Sequence, residues 1–327
     1  MFEELRDAKR LLMDAELEPV QGDRFQPTGF PDIGAGTYQL PDGTRKILLE
    51  SSQSMANRLE NTIIAPNGEL IDELEGLSYV KAYLEGATDA KTNSLMEAHR
   101  LNSPFIITDN DFQQAFKKEA DYAKGKPIDW RKVARTVFKY DVNSLLHGVF
   151  LANLEDGRIK MPRAITGFIE AIDAREVVYG GVKNNPIDPT GKIRAAEYDK
   201  DVYGNVPYQR MEYTASEIKA FFNFDIGMIR AYELGDEAEN LLIGLGLFKI
   251  RSFLDGGLRL RTACDLKLKN GNLTIQEPKE ISLPSINALL DSLQENIRAC
   301  KDMFAKPPVT EIRTKTVFKE SKQTESE

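Results

Sequence analysis

Residues 50–60 read ESSQSMANRLE and follow the apolar run 47–49 (ILL), which predicts a strand. Met55, Leu59 and Ile63 recur every four residues, so the serine-rich segment is predicted to open a helix. Free backbone N–H groups at a helix start, with hydroxyl groups beside them, favour a bound anion such as phosphate. Serines before a helix are usually simple N-caps, and this alternative stays open. A reciprocal capping box is not expected, because no Glu or Gln lies three residues after any of these serines.

The composition limits the class of protein. The 327 residues suit one large domain or two ordinary ones, and a hydrophobic content of 41% supports a substantial core. The two cysteines, Cys264 and Cys300, have no paired spacing, which indicates a reducing compartment, and the two histidines, His99 and His147, disfavour a His-rich metal site. The charged start predicts no secretory signal, and no apolar run approaches the roughly 20 residues of a membrane span. We therefore expect a cytoplasmic protein without a membrane contact.

The charge is unevenly distributed. A net charge of −8 disfavours nucleic-acid binding, because proteins that bind phosphate backbones are usually basic. Locally, however, residues 246–272 hold six bases and two acids, and residues 157–195 hold seven bases and four acids. Residues 60–97 hold eight acids and two bases. A folded surface could gather the basic segments into one nucleic-acid face and leave the acidic one for solvent or a partner.

Turn and periodicity signals predict the elements of the first half. Residues 1–18 have the spacing of a short amphipathic helix, and Asp42-Gly43 predicts a hairpin turn. Residues 67–140 are predicted to form an insertion of helices and loops. Within it, one helix is expected to begin at Asp109 or Asp111 and another at Asp129.

The second half is predicted to contain a split βαβ unit. The order is a strand (145–151), an element ambiguous between helix and strand (164–174), a long loop (180–210), strand material (213–232), a helix (237–253) and a strand (258–268). A further helix is predicted over 284–304, and residues 306–327 are polar and predicted to be disordered.

A second phosphate candidate lies at Gly256-Gly257. Glycine allows a ligand to approach the backbone closely, and the alternation of Arg259 and Arg261 with leucines predicts that both arginines share one face of a strand. A hairpin-like turn with a solvated polar face is the alternative.

Aromatic residues near basic ones form a further candidate. Phe25, Phe30 and Tyr38 are interleaved with Arg24 and Gln26, a mixture that suits stacking on single-stranded bases, although a core aromatic near a turn is the commoner explanation for any one of them.

Motifs of catalysis are absent from the sequence. No Gly-x-Ser-x-Gly elbow, Cys-x-x-Cys or His-x-x-x-His pair occurs. His147 is a candidate RNA contact or a core histidine, and Asp32 is a loop aspartate that could be catalytic or simply solvated.

Five segments together resemble one family. They are 51–54 (SSQS), 24–34 (RFQPTGFPDIG), 147–150 (HGVF), 161–164 (MPRA) and 255–262 (DGGLRLRT). Their order resembles that of the backbone subunits of CRISPR type I-G (formerly I-U) interference complexes, which belong to the RAMP superfamily (Cas-seven family, Csb-one group).

One position departs from the family pattern. Many relatives carry adjacent basic residues where this chain has Ala56-Asn57, and the single Arg58 follows one place later.

The resemblance implies an α+β fold. Its RRM-like (ferredoxin-like) core would carry large helical and loop insertions that form a thumb and a palm. Residues 1–305 would then be a single domain with insertions at about 67–140 and 180–210.

The resemblance also implies a non-catalytic subunit without cofactor or metal. Copies of it would line up along a CRISPR guide RNA as a helical filament, with target DNA bound through guide pairing and with other Cascade subunits as partners. The implied RNA-binding residues are Arg24, Gln26, Ser52, Gln53, Ser54, Asn57, Arg58, His147, Arg163, Gly256, Gly257, Arg259 and Arg261.

Two alternatives stay open. One is an endoribonuclease of the same superfamily that cuts RNA with Asp32 or His147. The more distant one is a metabolic enzyme.

Overall fold

A computed structural model describes residues 2–5, 7–30, 32, 34–86, 90–193, 204–279 and 281–316. The strands are β1 (Leu11–Pro19), β2 (Gly29–Phe30), β3 (Gly34–Ala35), β4 (Thr37–Gln39), β5 (Arg45–Glu50), β6 (Tyr79–Gly86), β7 (Lys91–Asn93), β8 (Val149–Phe150), β9 (Lys160–Met161), β10 (Ile165–Ile172), β11 (Arg175–Lys183), β12 (Val206–Thr214), β13 (Glu217–Phe224), β14 (Leu258–Arg261), β15 (Cys264–Leu268), β16 (Thr274–Glu277) and β17 (Val309–Thr316). The helices are α1 (Ser52–Asn61), α2 (Pro104–Ile107), α3 (Asn110–Ala120), α4 (Trp130–Tyr140), α5 (Val142–His147), α6 (Ile226–Ala231), α7 (Asp236–Asp255) and α8 (Ile286–Ala299).

The largest sheet carries the expected RRM-like arrangement. Its strands run in the order β14-β15-β1-β13-β10-β5-β4, with β16 also paired to β1, and every pair is antiparallel. Within it, β1, β10, β13 and β15 lie in the order 4-1-3-2 of a ferredoxin-like sheet. Helix α1 lies between the first and second of these strands in sequence, and α7 lies between the third and fourth. The fold is therefore α+β, as predicted.

The core lies between this sheet and its helices. Leu11, Met13, Ala15 and Leu17 alternate on the buried side of β1, while α1 packs on β10 and α7 packs on β14 and β15. Gly246 of α7 lies against a ring of β13, since a Cβ there would come within 2.5 Å of Cε1 of Phe224. A side chain at this position would push the helix away from the sheet.

Several predicted elements are confirmed. The hairpin turn at Asp42-Gly43 joins β4 and β5, with Tyr38 paired to Lys46. Helices α1, α3, α4, α7 and α8 lie where the periodicity placed them, and Asp109 and Asp129 cap α3 and α4. The ambiguous element 164–174 is strand β10.

The predicted helix over 1–18 is wrong. Only Glu3–Leu5 forms a short 3-10 turn, and β1 follows. The segment carries two overlapping apolar patterns, and the alternation that begins at Leu11 prevails because β1 is paired on both sides.

The predicted strand over 145–151 is also wrong in its first half. Asp141 accepts from the backbone N–H of Asn143 and caps α5, and the helix ends where Gly148 has a φ of 77°. Only the two residues of β8 are extended.

Three further segments are more divided than predicted. Residues 213–232 contain β13 and then α6, and residues 258–268 form two antiparallel strands, β14 and β15. The long loop 180–210 is in part the β11–β12 hairpin, although residues 194–203 lie outside the described part.

The predicted disorder of 306–327 is wrong for its first half. Strand β17 pairs in parallel with β6 from Val309 to Thr316, and β6 pairs with β7 on its other side. Strands β6 and β7 of this small sheet come from residues 67–140, and β17 joins them from the far end of the sequence. Residues 317–327 lie outside the described part. In the described ranges, we find no helix with the length and apolar character needed to cross a membrane.

Candidate nucleic-acid interface

The serine junction begins α1 with a reciprocal capping box, contrary to our expectation. Ser51 is the N-cap, and its Oγ accepts from the backbone N–H of Ser54 at 3.2 Å. Ser54 Oγ in turn accepts from the backbone N–H of Ser51 at 3.1 Å. Serine at the third helical position thus replaces the usual Glu or Gln. The cap occupies Ser51 and Ser54 and leaves the Ser52 side chain half-buried and that of Gln53 exposed.

A buried carboxylate binds two of the predicted RNA-contact arginines. The Glu50 side chain is 2% exposed, and its oxygens lie 3.5 Å from Arg58 Nε and 3.3 Å from Arg261 Nη2. The two arginine side chains remain 33% and 26% exposed. Each guanidinium therefore has a structural partner on one side and faces solvent on the other.

Main-chain carbonyls complete the arginine contacts. Arg58 Nη2 donates to the oxygen of Leu260 at 2.5 Å. Arg261 donates to the oxygens of Leu49 at 2.6 Å and Gln26 at 3.2 Å. These bonds link the end of β5, the helix α1 and the strand β14, which are far apart in sequence.

A groove of about 300 Å³ lies beside this cluster. Arg58, Gly256, Gly257 and Arg259 line it, so the Gly-Gly phosphate candidate meets α1 at Arg58, whereas the serines at the start of that helix are not among the lining residues. Gly257 has a φ of 78°, which favours glycine, and no atom lies within 4 Å of a Cβ built on it, so the backbone is open to a ligand. The Arg259 side chain is exposed and has no ion-pair partner in the portion of the chain described.

Two more predicted residues lie on α1 or beside its start. Arg163 Nη1 donates to the main-chain oxygen of Ser52 at 3.0 Å, which fixes the chain before β10 against the first turn of the helix. Burial lowers the pKa of the Arg163 guanidinium, with a further contribution from the charge of Arg100. Asn57 is exposed on the helix surface.

Arg24 and Gln26 lie next to the same region. The Arg24 guanidinium lies 4.1 Å from the ring centroid of Tyr179 and 3.7 Å from an oxygen of the buried Glu212. Arg210 binds Glu212 as well, at 2.7 Å. Gln26 holds a buried Oε1 that has no hydrogen-bond partner in the described part. A cavity of about 480 Å³ opens beside the arginines.

Sequence reasoning missed Tyr179, Arg210 and Glu212. Their alternation within 175–183 and 206–214 was the available signal, but the glycines and prolines around them predicted a loop.

The predicted aromatic and catalytic candidates are dispersed. Phe25 is 1% exposed and belongs to the core, whereas Tyr38 is exposed and donates to Glu170 at 2.7 Å. Asp32 is exposed, and the side chain of Phe30 lies outside the described part. Over the described residues, no group of three or more His, Cys, Asp and Glu side chains could hold a metal ion.

His147 does not reach the surface. Its ring is 1% exposed, and its Nε2 lies 3.0 Å from Nζ of Lys249. This location agrees with the alternative of a core histidine and does not offer the ring to a ligand in the groove.

Known proteins resemble the chain over much of its length. A family model described as "CRISPR-associated protein GSU0053" matches residues 11–176. No curated protein matches. Three solved structures share a weak likeness with the chain. A CRISPR RNA-guided surveillance complex before nicking has 14% identity and a TM-score of 0.43, with 90% of this chain and 85% of that chain covered. A CRISPR RNA-guided surveillance complex has 10% identity and a TM-score of 0.33, with 93% of this chain and 96% of that chain covered, and Csc2 of Thermofilum pendens has 9% identity and a TM-score of 0.30, with 92% of this chain and 77% of that chain covered.

Proposed function

Because this chain belongs to the CRISPR-associated GSU0053 family of the Cas-seven (RAMP) group, we propose that it binds a CRISPR guide RNA as a non-catalytic backbone subunit of an interference complex. The type I-G assignment is part of this proposal and rests on the sequence resemblance. The RNA would run through the groove between α1 and the turn at Gly256-Gly257.

The groove itself carries the proposal. Arg58 and Arg259 flank an open glycine backbone, and of these two arginines Arg58 is the one tied to a carboxylate within the described residues. Arg259 thus offers its charge beside main-chain groups that a phosphate can approach, and guanidinium groups bind phosphate oxygens with two parallel hydrogen bonds. The chemistry recognises a backbone and is indifferent to base sequence.

Further polar side chains lie on the elements next to the groove. On α1, Gln53 and Asn57 are exposed, and Arg163 binds the first turn of this helix. On β14, Arg261 donates to the main-chain oxygen of Gln26, two residues after Arg24, whose guanidinium lies over Tyr179 of the β11–β12 hairpin. Several successive phosphates of one strand could therefore be held, which suits a guide RNA better than a mononucleotide.

The hairpin is our choice for the thumb that reaches the next copy. Val178 is 79% exposed, Val182 is 56% exposed and Ile187, in the loop that follows, is 82% exposed. Apolar side chains this exposed on a hairpin favour burial against a partner. Copies stacked head to tail would form an open helical filament along the guide, with target DNA held by guide pairing and other Cascade subunits bound to the filament.

Charge reversal in the groove tests the RNA proposal. For purified protein and fluorescently labelled RNA, we expect Arg259→Glu to weaken binding at least tenfold for every sequence, since the new carboxylate repels a phosphate that the guanidinium attracted. The slope of log affinity against log salt should fall by about 0.7 for each phosphate that the variant no longer binds.

The matched control is Arg298→Glu, which reverses an exposed arginine on α8. Equal losses of affinity for both variants, or a changed base preference at unchanged affinity, would contradict backbone binding in the groove. Absence of RNA binding by the wild-type protein would reject the proposal as a whole.

A further inference from the structure

A chain of buried polar side chains connects α1 and α7, the two helices that contribute residues to the groove. Glu60, on the last turn of α1, accepts from Arg100 at 2.6 Å and 2.8 Å and from Asn143 Nδ2 at 2.8 Å. Arg100 also donates to the main-chain oxygen of Gly148 at 3.0 Å. All three side chains are buried, and ion pairs in such places leave a costly unpaired charge when one partner is removed.

Lys249 continues this chain to α7. It is 0% exposed, its Nζ donates to Asn143 Oδ1, and the same Nζ lies 3.0 Å from His147 Nε2. The other ring nitrogen of His147, Nδ1, is buried without a hydrogen-bond partner in the part of the chain described. A lysine completely enclosed at the centre of a core is rare, because removing an ammonium group from water is costly.

The two ends of the buried chain support the two walls of the groove. Glu60 follows Arg58 by two residues on α1, and Lys249 precedes Gly256 by seven residues, or about two turns, on α7. Asn143 lies between them and bonds to both Glu60 and Lys249. One amide thus bridges the helix that carries Arg58 and the helix that ends at the glycine turn, in addition to their direct packing.

We infer that Lys249 is a positioning residue for RNA binding, which acts through Asn143 and Glu60 to hold α1 at a fixed distance from the Gly256-Gly257 turn. The inference rests on the proposed RNA function and adds a residue that touches no RNA. Replacing a buried charge with an apolar side chain of similar volume is often neutral or stabilising, so fold stability alone does not require a lysine here.

Burial and the charged groups around Lys249 make its charge sensitive to pH. Burial lowers its pKa to about 7, Glu60 and Asp141 favour the charged form, and Arg100 opposes it. Burial first, and then the charge of Lys249, hold the pKa of His147 well below its usual range, so this ring stays neutral. Burial raises the pKa of Asp141 to about 6. When Lys249 loses its proton near neutral pH, its bonds to Asn143 and His147 lose their charge assistance.

Lys249→Met tests the inference. We expect RNA affinity to fall about tenfold, the size of effect typical for networks that couple packed elements, while the fold is retained. Amide hydrogen exchange at residues 256–260 should accelerate in the variant without RNA. Lys249→Gln, which keeps a donor for Asn143, should restore part of the affinity. Ser78→Ala, which removes the buried hydrogen bond to the Phe138 carbonyl, is the matched control. It should change neither the RNA affinity nor the amide exchange at residues 256–260.

The wild-type protein supplies a reading that does not depend on a variant. Its RNA affinity should fall several-fold from about pH 6 to about pH 8, and this pH dependence should be absent in Lys249→Met. The inference would be overturned if Lys249→Met had the RNA affinity and the amide exchange rates of the wild type, or if the RNA affinity of the wild type did not change with pH. RNA binding itself would remain intact in either case. If the wild-type protein binds no RNA, the proposed function fails, and the exchange rates alone decide whether Lys249 positions the turn.

Discussion

Arg58 Nη2 donates to the main-chain oxygen of Leu260 at 2.5 Å, although the two residues are 202 positions apart. The bond joins α1 to the strand after the glycine turn, and Glu50 forms an ion pair with the same guanidinium. An arginine with two protein partners is held in one orientation. Its side chain therefore loses little rotamer entropy when a phosphate binds.

Glu50→Gln is expected to destabilise the fold. The substitution removes a buried negative charge between Arg58 and Arg261, and we expect the free energy of unfolding to fall by about 2 kcal/mol, less than for a wholly buried pair because both arginines keep contact with water. Urea unfolding followed by circular dichroism measures it.

The control for that substitution is Glu176→Gln, which breaks the exposed pair with Arg45. Its cost should stay below about 1 kcal/mol. Equal effects of the two substitutions would show that Glu50 is not a structural anchor.

Glu69 should make stability depend on acid pH. Its burial opposes the charge, but hydrogen bonds from Lys81, Lys91 and Tyr79 outweigh it and lower the pKa of Glu69 to about 2. A lowered folded pKa stabilises the fold above the unfolded value of 4.5, and this contribution is lost as pH falls towards 2. Glu69→Gln should therefore be less stable than wild type near pH 6, by on the order of 2 kcal/mol, and nearly equal to it near pH 2. A gap that stays constant across this range would contradict the assignment.

No cleavage of RNA or DNA is expected from the pure protein, with or without divalent metal. The His147 ring is 1% exposed and contacts Lys249, so it cannot serve as a general acid or base at the groove. Denaturing gels of labelled RNA measure the outcome. Cleavage that disappears in Asp32→Ala would replace the backbone-subunit proposal with the endoribonuclease alternative.

Assembly on RNA should scale with RNA length. An open head-to-tail stack adds one copy for each further stretch of guide, and its contacts with phosphates of a single strand should weaken steeply with salt. Light scattering or negative-stain microscopy over a series of RNA lengths measures particle size. A particle of constant size for all lengths, or no change on adding RNA, would argue for a closed oligomer or none.

Local patterns predicted most of the helices and the glycine turn before β14, because their signals lie close together in sequence. The apolar spacing of Met55, Leu59 and Ile63 placed α1, and the glycine pair placed the turn before Arg259. The helix predicted over residues 1–18 was wrong because the spacing of Leu5, Ala8, Leu12 and Ala15 imitates a helix. The segment instead contains β1, whose strand partners lie two hundred residues later. Pairing over such distances overrides local spacing.

The buried polar chain could not be predicted in the same way. Glu60, Arg100 and Lys249 are charged residue types that are almost never fully buried unless paired, and nothing near each one in sequence indicates its partner. Glu60 was counted within an acidic segment and Lys249 within a basic one, yet both lie inside the molecule. Their roles depend on the packing of α1, α5 and α7, which only the folded structure supplies.

Strand β17 has a practical consequence for anyone who shortens this protein. It covers eight residues of β6 in parallel register, from Tyr79 to Gly86. A fragment that stops at residue 305 would keep all the described helices, but it would leave β6 with an edge of unpaired N–H and C=O groups. Open edges of this kind recruit strands from other molecules. Expression boundaries and fusion partners are therefore best placed beyond Thr316.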